Sequence, residues 1–238
     1  MLCPYRMVNM RSRSSKSVNY KKNEASDPAI QTFGEEIANS ITHGVGAALS
    51  IAGLVILLVS ASGALRLVSL SIYGAALILL YLSSTLYHSF SNERTKRFFR
   101  FLDHSSIYLL IAGSYTPVLL LSLRGAWGWT LFGIIWAMAV GGIIAKIFTT
   151  GKYGVISVLF YIAMGWIIVL AIKPMLQAVP WKLFAWLLIG GLSYTFGIIF
   201  YAWEKMPYNH AVWHLFVLGG SIAHFFGMLF YIAGNEIP

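Results

Sequence analysis

Seven apolar runs, each close to the length of a membrane-crossing helix and separated by short polar breaks, constrain this 238-residue chain more than any other feature of its sequence. About 20 residues of helix are needed to cross ~30 Å of hydrocarbon, and in lipid the backbone polar groups can be satisfied only inside helices or a closed barrel. The runs fall near residues 42–61, 68–89, 101–122, 127–146, 154–172, 183–203 and 210–232. They break at Ser62-Gly63, from Asn92 to Arg100, around Arg124-Gly125, from Thr149 to Lys152, from Lys173 to Pro180 and from Glu204 to Pro207. The expected fold is all-α: a polytopic membrane protein with seven transmembrane helices over residues 40–238. Composition agrees, since 58% of the residues are hydrophobic and 11% charged, against roughly 25% charged in a soluble domain. That excludes a cytosolic enzyme and a nucleic-acid-binding domain despite a pI of about 9.7. The single cysteine, Cys3, can neither close an intramolecular bridge nor build a thiolate metal site.

Residues 1–39 read as a basic tail outside the bilayer, with no apolar run long enough for a signal peptide. Ile30, Phe33, Ile37 and Ile41 recur at helical spacing after Ser26 and Asp27, which predicts a short amphipathic helix lying on the membrane before span one. Lys and Arg set the orientation. With the N-terminus inside, the inner segments carry Arg6, Arg11, Arg13, Lys16, Lys21, Lys22, Arg94, Lys96, Arg97, Arg100, Lys146, Lys152 and Lys205, and only Arg66, Arg124, Lys173 and Lys182 lie outside. The N-terminus is therefore expected in the cytoplasm and the C-terminus outside. The formal charge of +9 then reports topology and contact with anionic lipid headgroups at the cytoplasmic face, with no nucleic-acid partner. No internal repeat is visible, so a repeat-built transporter is not expected.

The six histidines, at 43, 88, 104, 210, 214 and 224, all lie in or at the edge of a span. Ionisable groups in a bilayer mark function by default. His43, His104, His210 and His214 open odd-numbered spans and His88 closes span two, so five share the cytoplasmic end. Counting ~1.5 Å per helical residue puts His88 and His210 about 7 Å in from the charged loops and His214 about 13 Å in. His210 and His214 stand four apart and project from one helical face at chelating distance. A third nitrogen from His88 would give a three-imidazole site with one open position, the arrangement of catalytic zinc centres; such ligands suit zinc best, with iron or copper as alternatives. Tyr81, Ser84 and His88 share a face of span two, and His210, His214, Ser221 and His224 a face of span seven. Asp103, the one acid predicted inside a span, could pair with Arg100 or orient a water at a metal. Spacing alone leaves open that the histidines merely hydrogen-bond neighbouring carbonyls.

Taken together, Ser84-Thr85-Leu86-Tyr87-His88 closing span two, Leu102-Asp103 opening span three and His210-Ala211-Val212-Trp213-His214 opening span seven resemble the hemolysin III proteins of bacteria. These belong with the progestin and adipoQ receptors in a wider group of seven-span, metal-dependent hydrolases. The resemblance covers residues 35 to 233, with Ile41-Thr42-His43-Gly44 in span one and Tyr115-Thr116-Pro117 in span three. It implies zinc held by His88, His210 and His214, with Asp103 as the acid beside the metal's open position and Ser84 as a nearby serine. His224 matches a histidine that does not bind the metal, and His43 and His104 match no ligand. It also implies a bacterial plasma membrane.

The reaction implied is hydrolysis of a lipid amide or ester, similar to ceramide hydrolysis, with Asp103 as proton carrier and Ser84 as hydrogen-bond donor. A lipid substrate would enter sideways from the inner leaflet. Pro117 and the pairs Gly141-Gly142, Gly190-Gly191 and Gly219-Gly220 permit kinks or close packing. Three other readings belong to different classes: a cytolytic, membrane-perturbing protein; a non-enzymatic sensor or regulator of membrane state in which zinc is structural; and an ion channel, for which one acid provides no relay across the bilayer. With about six residues after span seven, hormone reception is not expected.

Overall fold

The computed structural model describes residues 31–150 and 154–234. The basic tail before Gln31, with Ile30 of the expected amphipathic stripe, lies outside the described residues. Among those described, every regular element is helical. Seven helices are long and apolar enough to cross a bilayer: Phe33–Val59, Ala64–Ser89, Glu93–Leu123, Gly125–Thr149, Gly154–Ala178, Trp181–Ala202 and Asn209–Ala233. They are called spans one to seven. The odd-numbered spans begin, and the even-numbered ones finish, at what is termed here the near end of the bundle.

Three boundaries depart from the hydropathy reading, each for an identifiable reason. The first lies in span one, where Phe33, Ile37 and Ile41 do not form a separate surface helix: they continue without a break into Phe33–Val59. Phe33 is 81% and Ile41 61% exposed, while Asn39, His43 and Gly46 are buried. The apolar stripe is thus the lipid-facing side, and the interior takes the small and polar residues. The second is the charged stretch after Asn92, which is helical. The Asn92 side chain accepts hydrogen bonds from the N–H groups of Arg94 (3.1 Å) and Thr95 (3.2 Å), and Glu93 sits where the helix dipole favours an anion. Hydropathy ends there, but helix propensity does not. The third is span five, which continues through Lys173 and Pro174 to Ala178; Pro174 occupies the first turn of the helix Ile172–Ala178, where its missing N–H removes no bond.

Two interruptions remain inside the bundle. Directly after Pro117, which lacks an N–H, span three widens into a π-helical turn over Val118–Leu123, closed by the Arg124 N–H donating to the Leu119 carbonyl at 2.9 Å. Span five narrows to a 3-10 turn over Ile167–Ala171. The Tyr115 hydroxyl donates to the Gly165 carbonyl freed there at 2.6 Å, as irregular backbone at membrane depth requires.

One core fills the space between spans one, two, three, five, six and seven, around Leu57, Leu70, Tyr73, Tyr81, Met175, Leu183 and Met228. A second, around Tyr108, Leu119, Ile135 and Met164, joins spans three, four and five. In each glycine pair one member marks a close approach: a Cβ on Gly142 would enter the Tyr108 ring, on Gly190 the His224 ring and on Gly220 the Tyr194 ring, whereas Gly141 has nothing within 4 Å. Gly142→Ala is therefore expected to cost about 1–3 kcal/mol, seen as a lower unfolding temperature in detergent. Gly141→Ala should stay within about 0.5 kcal/mol of the parent.

Candidate metal centre

Span two finishes and span seven begins at the near end, which brings their polar faces together. On span two, Ser84 and His88 lie one turn apart, and Ser83 ties the helix to span three through Ser106 at 3.1 Å. Span seven is launched from Tyr208, held in the left-handed region at φ 57°. The Asn209 amide donates to the Phe200 and Tyr201 carbonyls of span six at 3.3 Å each. His210 and His214 follow on successive turns.

The three rings converge. Centroids are 5.1 Å apart for His88 and His210, 5.3 Å for His88 and His214, and 4.5 Å for His210 and His214. One nitrogen from each ring lies within 4.8 Å of the other two. In all three, Nε2 is buried and has no hydrogen-bond partner.

Partners on the far side of two rings set their tautomers. His88 Nδ1 lies 2.7 Å from Glu36 Oε2, and a carboxylate can only accept. His214 Nδ1 lies 3.2 Å from Thr42 Oγ1. That hydroxyl also sits 2.9 and 3.0 Å from the Ala38 and Asn39 carbonyls, so its hydrogen is committed to the backbone and its oxygen accepts from the ring. Both rings thus carry hydrogen on Nδ1, which in the neutral imidazole leaves Nε2 as the lone-pair nitrogen. Ring nitrogens buried without a partner are costly in an apolar interior, and neutral imidazole nitrogens are donors that a divalent cation takes. The residues present could hold a divalent metal ion.

Asp103 and Ser84, the other two residues singled out in the sequence, lie on spans three and two. Asp103 is 6% exposed, its carboxylate lies within electrostatic reach of His88 and Arg100, and the Ser84 hydroxyl approaches it while stopping short of a hydrogen bond. The other histidines separate. His104 sits beside Asp103 in the chain, and its carbonyl accepts the Tyr161 hydroxyl of span five at 3.0 Å. His224 donates from Nε2 to the Leu187 carbonyl at 3.1 Å. It lines an apolar cavity with Tyr115, Trp166 and Phe184. His43 is no member of the converging trio, yet it stacks on His214 with centroids 3.4 Å apart and planes at 13°.

Glu36, Thr42 and Lys96 were missed by the sequence reading. The signal was available: Glu36, Asn39 and His43 recur at helical spacing on the side of span one opposite Phe33 and Ile41. In a membrane bundle the polar stripe is the one that turns inward.

The fold and the histidine cluster together define a seven-span integral membrane protein with a candidate metal centre at one end of the bundle. The family model described as haemolysin-III related matches residues 31–225. "Hemolysin-3" of Bacillus cereus is 54% identical over 201 residues, 83% of this chain and 92% of the relative. "Hemolysin-3 homolog" of Bacillus subtilis (strain 168) is 49% identical over 203 residues, 84% and 95% of the two chains. "Monocyte to macrophage differentiation factor" of Homo sapiens is 30% identical over 204 residues, 83% and 84%. The chain belongs to the hemolysin III family, within the group that includes the progestin and adipoQ receptors. The Bacillus relatives and the seven spans place it in the bacterial plasma membrane.

Because neither His104 nor His224 supplies a nitrogen to the converging group, His104→Ala and His224→Ala are expected to take up as much divalent metal as the parent chain. Equilibrium dialysis of the detergent-purified proteins checks this, and a deficit in either would put that residue inside the centre.

Proposed function

We propose that this chain is a zinc-dependent membrane hydrolase that cleaves an amide or ester bond of a lipid, from a site near the cytoplasmic face. One observation carries the reading: one nitrogen from each of three histidines converges, each ring has a buried Nε2 without a partner, and the buried Asp103 lies within electrostatic reach of His88. Neutral imidazoles without thiolates suit zinc. His88, His210 and His214 hold it, and three protein donors with one position left over are the hallmark of catalytic, as opposed to structural, zinc. A zinc ion so held supplies Lewis acidity and an activated water.

The chain's own residues do the rest. Asp103 accepts a proton at its carboxylate and returns it to the leaving group. Ser84 donates a hydrogen bond toward the substrate's carbonyl oxygen. The surrounding spans are apolar on their outer faces, with Ile51, Val55, Val140 and Ile189 exposed, which supports a substrate delivered from the bilayer. Basic residues at the near end, Arg94 and Arg97 in the first turns of span three and Lys205 in the turn before span seven, supply the contact with anionic headgroups.

Elemental mass spectrometry of the detergent-purified protein tests the centre. The expected result is about one zinc per chain, as a three-histidine site requires, with its loss in both His88→Ala and His214→Ala. Asp103→Asn should keep the zinc and lower the rate of lipid amide or ester hydrolysis by roughly 10²- to 10⁴-fold. A parent protein that stays metal-free after zinc is offered contradicts the proposal.

A further inference from the structure

Span one donates none of the three converging nitrogens, yet four of its residues reach the elements that do. Glu36 Oε2 holds His88 Nδ1 at 2.7 Å. Thr42 Oγ1 holds His214 Nδ1 at 3.2 Å, and the neighbouring His43 stacks on the same ring. Glu35 Oε1 accepts the Tyr208 N–H at 3.0 Å, pinning the turn from which span seven launches His210. These contacts come from two turns of one helix, on the face opposite the lipid-exposed Phe33 and Ile41.

We infer that span one is the positioning element of the centre, and that Glu36 is the residue that fixes His88 in the orientation and tautomer a bound cation needs. The inference rests on the three-histidine centre proposed above and adds to it residues that touch no metal. A ligating histidine usually donates its second ring N–H to a carboxylate or carbonyl, which orients the ring and raises its basicity. Glu36 has the geometry of that partner. Its two oxygens are divided between two tasks: Oε2 meets His88, whose side chain is 1% exposed, and Oε1 meets Lys96 Nζ of span three at 2.5 Å. Lys96 is itself held, its ammonium 5.0 Å from the centre of the Tyr87 ring, and Tyr87 packs on His88 with centroids 4.6 Å apart. The carboxylate therefore cannot turn away from the imidazole without breaking the ion pair. An ordinary exposed Glu–Lys pair would have one face in solvent; this one has its second oxygen against a buried ring.

The competing reading makes Glu36 a bolt between spans one, two and three with no bearing on the metal. Zinc affinity and fold stability separate the two. The experiment uses the full-length protein in detergent: zinc affinity by competition with a chromophoric chelator, and the unfolding temperature of the metal-free form, for the parent, Glu36→Ala, Glu36→Gln and Lys96→Met. Glu36→Ala is expected to weaken zinc binding about 10- to 100-fold. Glu36→Gln keeps an oxygen that accepts the Nδ1 hydrogen and loses less. Lys96→Met breaks the ion pair, leaves the Glu36–His88 bond and changes affinity least. If Glu36→Ala does not fold, Glu36→Gln still decides the matter, since affinity equal to the parent's overturns the inference. Glu36 and Lys96 variants that lower the unfolding temperature together, with zinc affinity unchanged, overturn it as well. A parent that takes up no zinc overturns the metal centre itself, a distinguishable failure.

Discussion

A bilayer supplies no water to its interior, so each polar group in a span must be answered by the protein. Most hydroxyls here are answered locally. Ser50 donates to the Gly46 carbonyl at 2.7 Å, Ser69 to Leu65 at 2.7 Å and Thr116 to Ala112 at 2.8 Å. Larger groups bridge helices: Tyr81 and Tyr194 both bond the Ser221 hydroxyl, at 2.7 and 2.9 Å, tying spans two and six to span seven. The histidines are the exception. Each carries at least one buried ring nitrogen without a partner, and His88, His210 and His214 each bring one nitrogen within 4.8 Å of the other two. The bundle pays for this arrangement unless a cation fills it.

The rest of the architecture can be understood as support for that cluster. Spans two and seven carry the nitrogens, span three carries Asp103, and small residues let the helices come close enough for the rings to meet. Gly46 of span one shows this directly, since a Cβ there would collide with Tyr81, the residue two turns before His88 on the same helix. Span five stands apart from the centre. It is broken in its middle, rests on Tyr115 and borders the apolar cavity that His224 lines. None of the three converging histidines lines that cavity.

Much of this was legible in the sequence because the membrane simplifies the code. Length and hydropathy locate seven spans. The spacing of His210 and His214, with His88 at the matching depth, brings the three rings to one layer, and the structure joins them. The extent of the helices was less legible: hydropathy marks where lipid ends, while Asn92 as a cap and Pro174 in a first turn carry the helices beyond it. The supporting residues were the least legible. Glu36 lies ahead of the first apolar run and looks like tail, and its role depends on contacts to residues 52 and 60 positions away. Helical periodicity alone cannot supply such contacts. The sidedness read from Lys and Arg is a statement about the membrane around the protein, and the bundle's internal geometry does not bear on it.

The central claim is that three imidazole nitrogens at the near end of the bundle hold a metal ion with one position open to a small oxygen ligand. X-ray absorption at the zinc edge, on the detergent-purified full-length protein, measures it most directly. The account predicts a first shell of about three nitrogen scatterers at ~2.0–2.1 Å with the outer-ring pattern of imidazole, plus about one oxygen. A shell made only of oxygen, a four-imidazole shell with no oxygen, or no bound zinc would contradict it.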